Sequence, residues 1–290
     1  MPVPLIQTKK MPDATGVSSN GTATMVIPAT GCFYESRFNF LQSGGTAVAV
    51  ANMKSEVSNI TLRVDGDLVL DATPTFLLDR QKFYGDAIGE DNVAGVIPIE
   101  YAKKNIRLPG ERSQLALGTQ GVNQIVAEFR LGTLSQLNKI EHYLDQTVEQ
   151  RPAGPHLRIN KFPQNFPTTG TQEIVTLPKE PGTGVYGVHI EDATGTIDSV
   201  TVIVDGNEIL DEVPAAVQQS RLERYGRNPQ TGYYHIDFCI QDELLGYLPM
   251  DRKDGKTIQD FRLKIKWSGA APDNYNIYLE RVFDVSAPIV

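Results

Sequence analysis

The chain writes one sixteen-residue stretch twice. NITLRVDGDLVLDATP at Asn59–Pro74 returns as SVTVIVDGNEILDEVP at Ser199–Pro214, with seven positions identical. Asp65 and Asp205 lie 140 positions apart, as do Gly66 and Gly206, Leu70 and Leu210, Asp71 and Asp211, and Pro74 and Pro214. A repeat of so long a period implies two duplicated domains rather than a solenoid of short units. Asp-Gly between two alternating apolar runs is a strong short-range hairpin signal, because both residues accept the positive φ of a type I′ turn. Residues 60–64 and 68–70 therefore read as paired strands, and so do 200–204 and 208–210.

The duplication extends past the hairpin. Gly21–Pro28 and Gly170–Pro178 read as matching strands closed by proline, followed by strands over Cys32–Phe40 and Val185–Glu191. After each hairpin, Pro74–Gly85 and Pro214–Gly226 begin with proline and end with glycine, the asymmetry of a short helix. Strands resume at Val96–Tyr101 and Tyr233–Ile240, then at Val122–Leu131 and Ile258–Trp267, and Tyr275–Val282 closes the second half. Phe261, Leu263, Ile265 and Trp267 alternate with Arg262, Lys264 and Lys266, the pattern of a strand with one wet face. Residues 134–148 fit helical spacing, but the repeat asks for a closing strand in their later part.

Residues 1–20 carry Pro2, Pro4 and Pro12 without periodicity and read as an N-terminal arm; the proline-rich stretch 151–169 reads as the linker. The expected fold is all-β: two tandem eight-stranded jelly rolls, 21–150 and 170–290, each with a short connecting helix. An immunoglobulin-like pair is the structural alternative.

Composition narrows function. A net charge of −8 argues against broad nucleic-acid binding, which needs a basic footprint. The basic groups Lys9-Lys10, Lys103-Lys104 with Arg107, and Arg221 with Arg224 read as solvated faces. Cys32 and Cys239 both sit in strand-like runs and read as free, buried thiols, which suits a reducing cytoplasm. No apolar run approaches the roughly 18 residues of a membrane span, and the opening MPVPLIQTKKMPD lacks the order of a secretory signal.

Reaction chemistry is hard to find. His142, His156, His189 and His235 are never within ten positions of one another, so the spacing that puts two imidazoles on one element is missing. Gly182–Gly187 (GTGVYG) matches a dinucleotide fingerprint by letters, yet it follows a proline turn and runs into a strand, and it reads as a turn. Asp65, Asp67, Asp71, Asp205, Asp211 and the run Asp251–Asp254 are the candidate ligands for a hard cation such as calcium. The hairpin aspartates read better as turn residues, and Asp71 and Asp211 as caps or dipole partners of the following helices. No catalytic or cofactor-binding residue is expected, and the metal question stays open.

The halves also resemble a known family. VDGDLVLDATP, LALGTQG, RLERYG, YYHIDF and IQDFRLKI are similar to segments of the major capsid proteins of corticoviruses, icosahedral viruses of marine bacteria with a membrane beneath the shell. The similarity runs from about Gly21 to Val282. It implies a double jelly roll, a homotrimer, pseudo-hexagonal tiling of a shell over an internal lipid membrane, and vertex or minor capsid proteins as partners. It implies residence in the virion after synthesis in the host cytoplasm. It also makes calcium a candidate ion, with no ligand assigned. The acidic charge fits a shell kept apart from DNA by lipid, and Lys9 and Lys10 on the arm are the expected contact with anionic lipid. The rival readings are a carbohydrate-binding tandem β-sandwich, with Tyr233, Tyr234, Tyr275 and Tyr278 as its aromatic platform, and an enzyme on a β-sandwich.

Overall fold

The computed structural model describes residues 5–85, 95–106, 109–243, 246–251, 257–269 and 274–283. The chain divides into two compact units, Met1–Asn160 and Lys161–Val290.

In the first unit the elements run β1 (Ile6–Met11), β2 (Thr22–Ile27), β3 (Phe33–Leu41), α1 (Val50–Glu56), β4 (Val57–Val64), β5 (Asp67–Ala72), α2 (Pro74–Phe83), β6 (Val96–Glu100), α3 (Pro109–Gln114), β7 (Ile125–Leu131) and β8 (Lys139–Thr147). One sheet has the order β1-β8-β3-β6 and the other β2-β7-β4-β5, which is the interleaved order of a jelly roll. Alternation makes the core. Ile60 and Leu62 of β4, Ile125, Ala127 and Phe129 of β7, and Phe38 and Phe40 of β3 all have no exposed surface. Phe129 meets Phe38 edge-on at 5.0 Å, so the two sheets face each other through aromatic rings.

The second unit holds β10 (Gly170–Ile174), β11 (Thr183–Glu191), β12 (Ile197–Val204), β13 (Asn207–Pro214), α4 (Ala215–Arg224), β14 (Tyr233–Asp237), the short β15 (Leu248–Pro249), β16 (Phe261–Trp267) and β17 (Asn274–Phe283). One sheet is β10-β16-β12-β13; β14, β11 and β17 form the facing sheet. Phe261, Leu263, Ile265 and Trp267 are buried, as their alternation requires, against Val188, Ile190, Ile277 and Leu279. GTGVYG opens β11, a strand and not a helix, so the dinucleotide reading fails on context.

The hairpins form as the repeat predicts. Asp65 (φ 49°) and Gly66 (φ 92°) are both left-handed, and so are Asp205 (φ 47°) and Gly206 (φ 78°). Both central residues at positive φ make the type I′ turn whose twist suits a tight hairpin. The helices α2 and α4 follow, and each is succeeded by a glycine at positive φ, Gly85 and Gly226.

Three expectations are corrected. The stretch read as the linker, 151–169, contains a ten-residue strand, β9 (His156–Asn165). Leu157 and Ile159 alternate and are buried, and Ile159 pairs in parallel with Leu70 of β5. Beyond Lys161 the same strand lies beside β17, so β9 supplies the strand that completes the second roll. Its prolines hid it: Pro152 and Pro155 precede the strand and Pro163 falls near its end, where missing N–H donors cost least. The arm 1–20 likewise holds β1, paired antiparallel with β8 from Ile6↔Thr147 to Met11↔His142. The first unit has α1 and α3 besides the one expected helix. α1 forms after Gly44-Gly45, where Ala51, Met53, Lys54 and Glu56 favour a helix, and Met53 and Glu56 anchor it in the core.

Candidate functional site

The repeated aspartate does more than turn the chain. Asp65 Oδ1 accepts the backbone N–H groups of Asn123 (2.9 Å) and Gln124 (2.8 Å), and its own N–H donates to Gln124 O (2.8 Å). Asp205 repeats the device: Oδ1 accepts from Gln259 (2.9 Å) and Asp260 (3.0 Å), and its N–H donates to Asp260 O (2.8 Å). Each hairpin tip is thereby latched to the segment entering β7 or β16, its neighbour in the sheet. The sequence showed the turn but not the latch, because the partners lie 54 to 59 positions away and contribute only backbone. Asp205→Ala should leave the backbone N–H donors of Gln259 and Asp260 without their carboxylate acceptor and strain the turn, costing about 1–2 kcal/mol, read as a lower urea midpoint.

The other candidate cation ligands are scattered. Asp67 sits on the surface with Arg158 Nη2 3.4 Å away. Asp71 accepts from Asn59 Nδ2 at 2.7 Å, and the cap of α2 is Thr73, whose side chain accepts from Phe76 N–H. Asp211 is exposed on β13, and the N-cap position of α4 is Pro214, with no side-chain cap. Both aspartates lie inside strands, so neither caps the helix that follows: Thr73 does so for α2, and α4 has no side-chain cap. Asp251 accepts from Gly182 N–H at 2.6 Å, while Asp254 lies outside the described residues. Among the described residues no three His, Cys, Asp or Glu side chains are grouped to hold a metal ion.

Two of the four histidines, distant in sequence, meet in space. Gln230 N–H donates to His235 Nε2 (3.2 Å), so the proton of the neutral ring is on Nδ1. That N–H faces His189 Nδ1 at 2.7 Å, and His189 Nε2–H then donates to Glu280 Oε1 at 3.0 Å. Burial first, then the neighbouring His189, pushes His235 well below the usual imidazole range. These bonds join the three side chains into one buried hydrogen-bonded chain. His156 Nδ1 lies 2.8 Å from Gly154 O at the start of β9.

His142 stacks on Phe38 with ring centroids 4.8 Å apart, and its Nε2 meets Ser36 Oγ at 2.9 Å, which in turn meets Tyr101 Oη at 3.0 Å. Burial lowers His142 from 6.5 to about 4 and raises Tyr101 to about 12. The sign follows: the neutral ring's contribution is complete above the unfolded value of 6.5 and is lost as pH falls towards 4. Urea unfolding should therefore show about 2–3 kcal/mol lost through that window, and His142→Phe should flatten the loss.

The basic groups are only partly solvated. Lys103 is fully buried, with Nζ 2.8 Å from Tyr84 Oη and 4.0 Å from its ring centroid. Lys104 bridges Glu35 (2.5 Å) and Glu100 (3.3 Å). Both depart from the solvated-face reading because buried carboxylates and a ring await them; Arg107 lies outside the described residues. Lys9 and Lys10 stand on β1, and Lys10 binds Glu141 at 2.9 Å, so this pair is held in a sheet. Lys139 and Lys10 together lower the Glu141 carboxyl to about 2. Arg221 and Arg224 are exposed on α4, as expected. Sequence reasoning missed Arg227, a buried cation that binds Asp237 and Asp242 at 2.6 Å each. Cys32 and Cys239 are free and buried, as read. Tyr234, Tyr275 and Tyr278 are buried too, so they do not form the exposed platform of the carbohydrate-binding reading.

Two jelly rolls of the same topology, each closed by the same latch, define a double jelly-roll structural protein. Residues 8–147 match the model of the viral coat protein P2 N-terminal domain, and residues 156–285 that of the P2 C-terminal domain. The chain belongs to the viral coat protein P2 family; it is a capsid component of a virion and not an enzyme. Major capsid protein P2 of Pseudoalteromonas phage PM2 is 27% identical over 222 residues, covering 73% of this chain and 76% of the relative. The crystal structure of the major capsid protein P2 from bacteriophage PM2 superposes with a TM-score of 0.82 at 19% identity, over 96% of this chain and 97% of that one. A chain in the atomic structure of Sulfolobus Turreted Icosahedral Virus gives 0.71 at 13% identity, over 97% of this chain and 92% of that one.

Proposed function

We propose that this major capsid protein works as a homotrimer, and that its trimers tile an icosahedral shell over an internal lipid membrane. One observation carries the reading: a single chain contains two rolls of the same strand order with the same latched hairpin. Three copies on a three-fold axis bring six similar lobes, an approximation to six-fold symmetry that suits a flat facet. The net charge of −8 supports a wall that does not touch DNA. Lys9 and Lys10, both exposed on β1 with Lys10 also bonded to Glu141, are the candidate contact with anionic lipid. Vertex or minor capsid proteins are the further partners of such a shell.

Light scattering on the purified protein tests the trimer. The expected mass is three times the 31.9 kDa chain. A particle of one chain at all concentrations down to about micromolar would contradict it.

A further inference from the structure

The two units differ beside their equivalent helices. In the first, the connection from β3 to β4 carries α1, which packs against α2. In the second, the connection from β11 to β12 is a short turn over 192–196 with Gly195 at φ 65°. A hollow of about 260 Å³ opens there, between that turn, α4 and the loop leading into β14. Its polar wall is Asp192, Gln218, Gln219, Gln230, Thr231 and Tyr233.

The lining selects a ligand chemistry. No lysine or arginine lines the hollow, so an anion has no counter-charge there. The single carboxylate, Asp192, accepts Thr196 N–H on Oδ1 (2.8 Å) and Ile197 N–H on Oδ2 (3.1 Å). It is thereby fixed in place, and each oxygen keeps a lone pair for a ligand hydroxyl. One carboxylate without companions does not hold a hard cation. Gln218 is buried and oriented by His235 O at 2.9 Å, while Gln219 and Thr231 stand at the open edge. Tyr233 is half-buried, its ring stacked on His235 with centroids 5.5 Å apart and planes 26° from parallel. Amides, a hydroxyl and a fixed carboxylate around one braced ring match an uncharged molecule with many hydroxyls and one apolar face. The volume falls below the roughly 300–1,000 Å³ of drug-sized sites, enough for one ring rather than a chain.

We propose that this hollow in the second jelly roll is a binding site for a neutral pyranose, the terminal sugar of a glycan. Asp192, Gln219 and Thr231 take the hydroxyls and Tyr233 takes the C–H face. All of its lining residues belong to one chain.

Saturation-transfer NMR with glucose, galactose, mannose and N-acetylglucosamine on the full-length protein tests it. At least one sugar should bind at roughly the millimolar level, and Gln219→Ala and Tyr233→Ala should each weaken it about tenfold or more. Gln219 is exposed and its side chain bonds Glu223 within α4, so its replacement leaves the fold intact and guards against a Tyr233→Ala protein that fails to fold. No transfer from any of the four sugars, or transfer unchanged in Gln219→Ala, overturns the proposal. So does a Gln219→Ala change that weakens self-association while no sugar binds, which would assign the hollow to a second copy.

Discussion

Arg227→Ala should destabilise the second unit by about 3–5 kcal/mol. Arg227 is 5% exposed; its Nε donates to Asp237 at 2.6 Å, and its Nη2 donates to Asp242 at 2.6 Å and to the Cys239 carbonyl at 3.1 Å. Truncation leaves the Asp237 carboxylate, 1% exposed, buried without its cation. The desolvation already incurred by that carboxylate is then uncompensated, and this is why breaking a buried pair costs more than the pair contributes. The control is Arg227→Met with Asp237→Leu, which removes the most buried carboxylate together with its cation, leaves only the partly exposed Asp242 unpaired, and should recover part of the loss. Urea unfolding followed by tryptophan fluorescence is a suitable reading, because Trp267, the single tryptophan, lies in the core of this unit. A single variant within about 1 kcal/mol of the parent would mean that the buried network contributes little.

Phe129→Ala should have a similar effect in the first unit, about 3–5 kcal/mol. Phe129 has no exposed surface and meets Phe38 at 5.0 Å and Phe40 at 5.9 Å, both nearly perpendicular. It is where β7 of one sheet touches β3 of the other. Removing the ring leaves a void that β-sheet backbone on two sides cannot fill. Phe129→Leu keeps most of the volume and should cost clearly less. Calorimetry should place the alanine variant's loss in the first unit, while the Trp267 signal of the second changes little.

The readability of this fold follows from the range of each signal. Type I′ hairpins are specified by adjacent residues, so Asp65-Gly66 and Asp205-Gly206 could be read directly, and with them the duplication. Alternating strands such as β16 carry their own period, and they too were legible. The strand β9 was not, because Pro155 and Pro163 look like loop punctuation until a neighbouring strand gives its backbone partners. The strand β1 has one neighbour only, and most of its side chains face water, so no apolar rhythm marks it. Burial of Lys103 and the meeting of His189 with His235 depend on contacts 19 and 46 positions apart in sequence. Neither residue has a local pattern that announces a partner. The hollow beside α4 exists because a connection is short, a fact visible only when the two units are set against each other in their own structures.

The duplication carries the functional account, and electron cryomicroscopy of assembled particles tests it most directly. Capsomers of six lobes are expected, each capsomer built from three copies of this chain, with the first and second rolls alternating around it. Six lobes that require six copies, one roll of each left outside the shell wall, would contradict it.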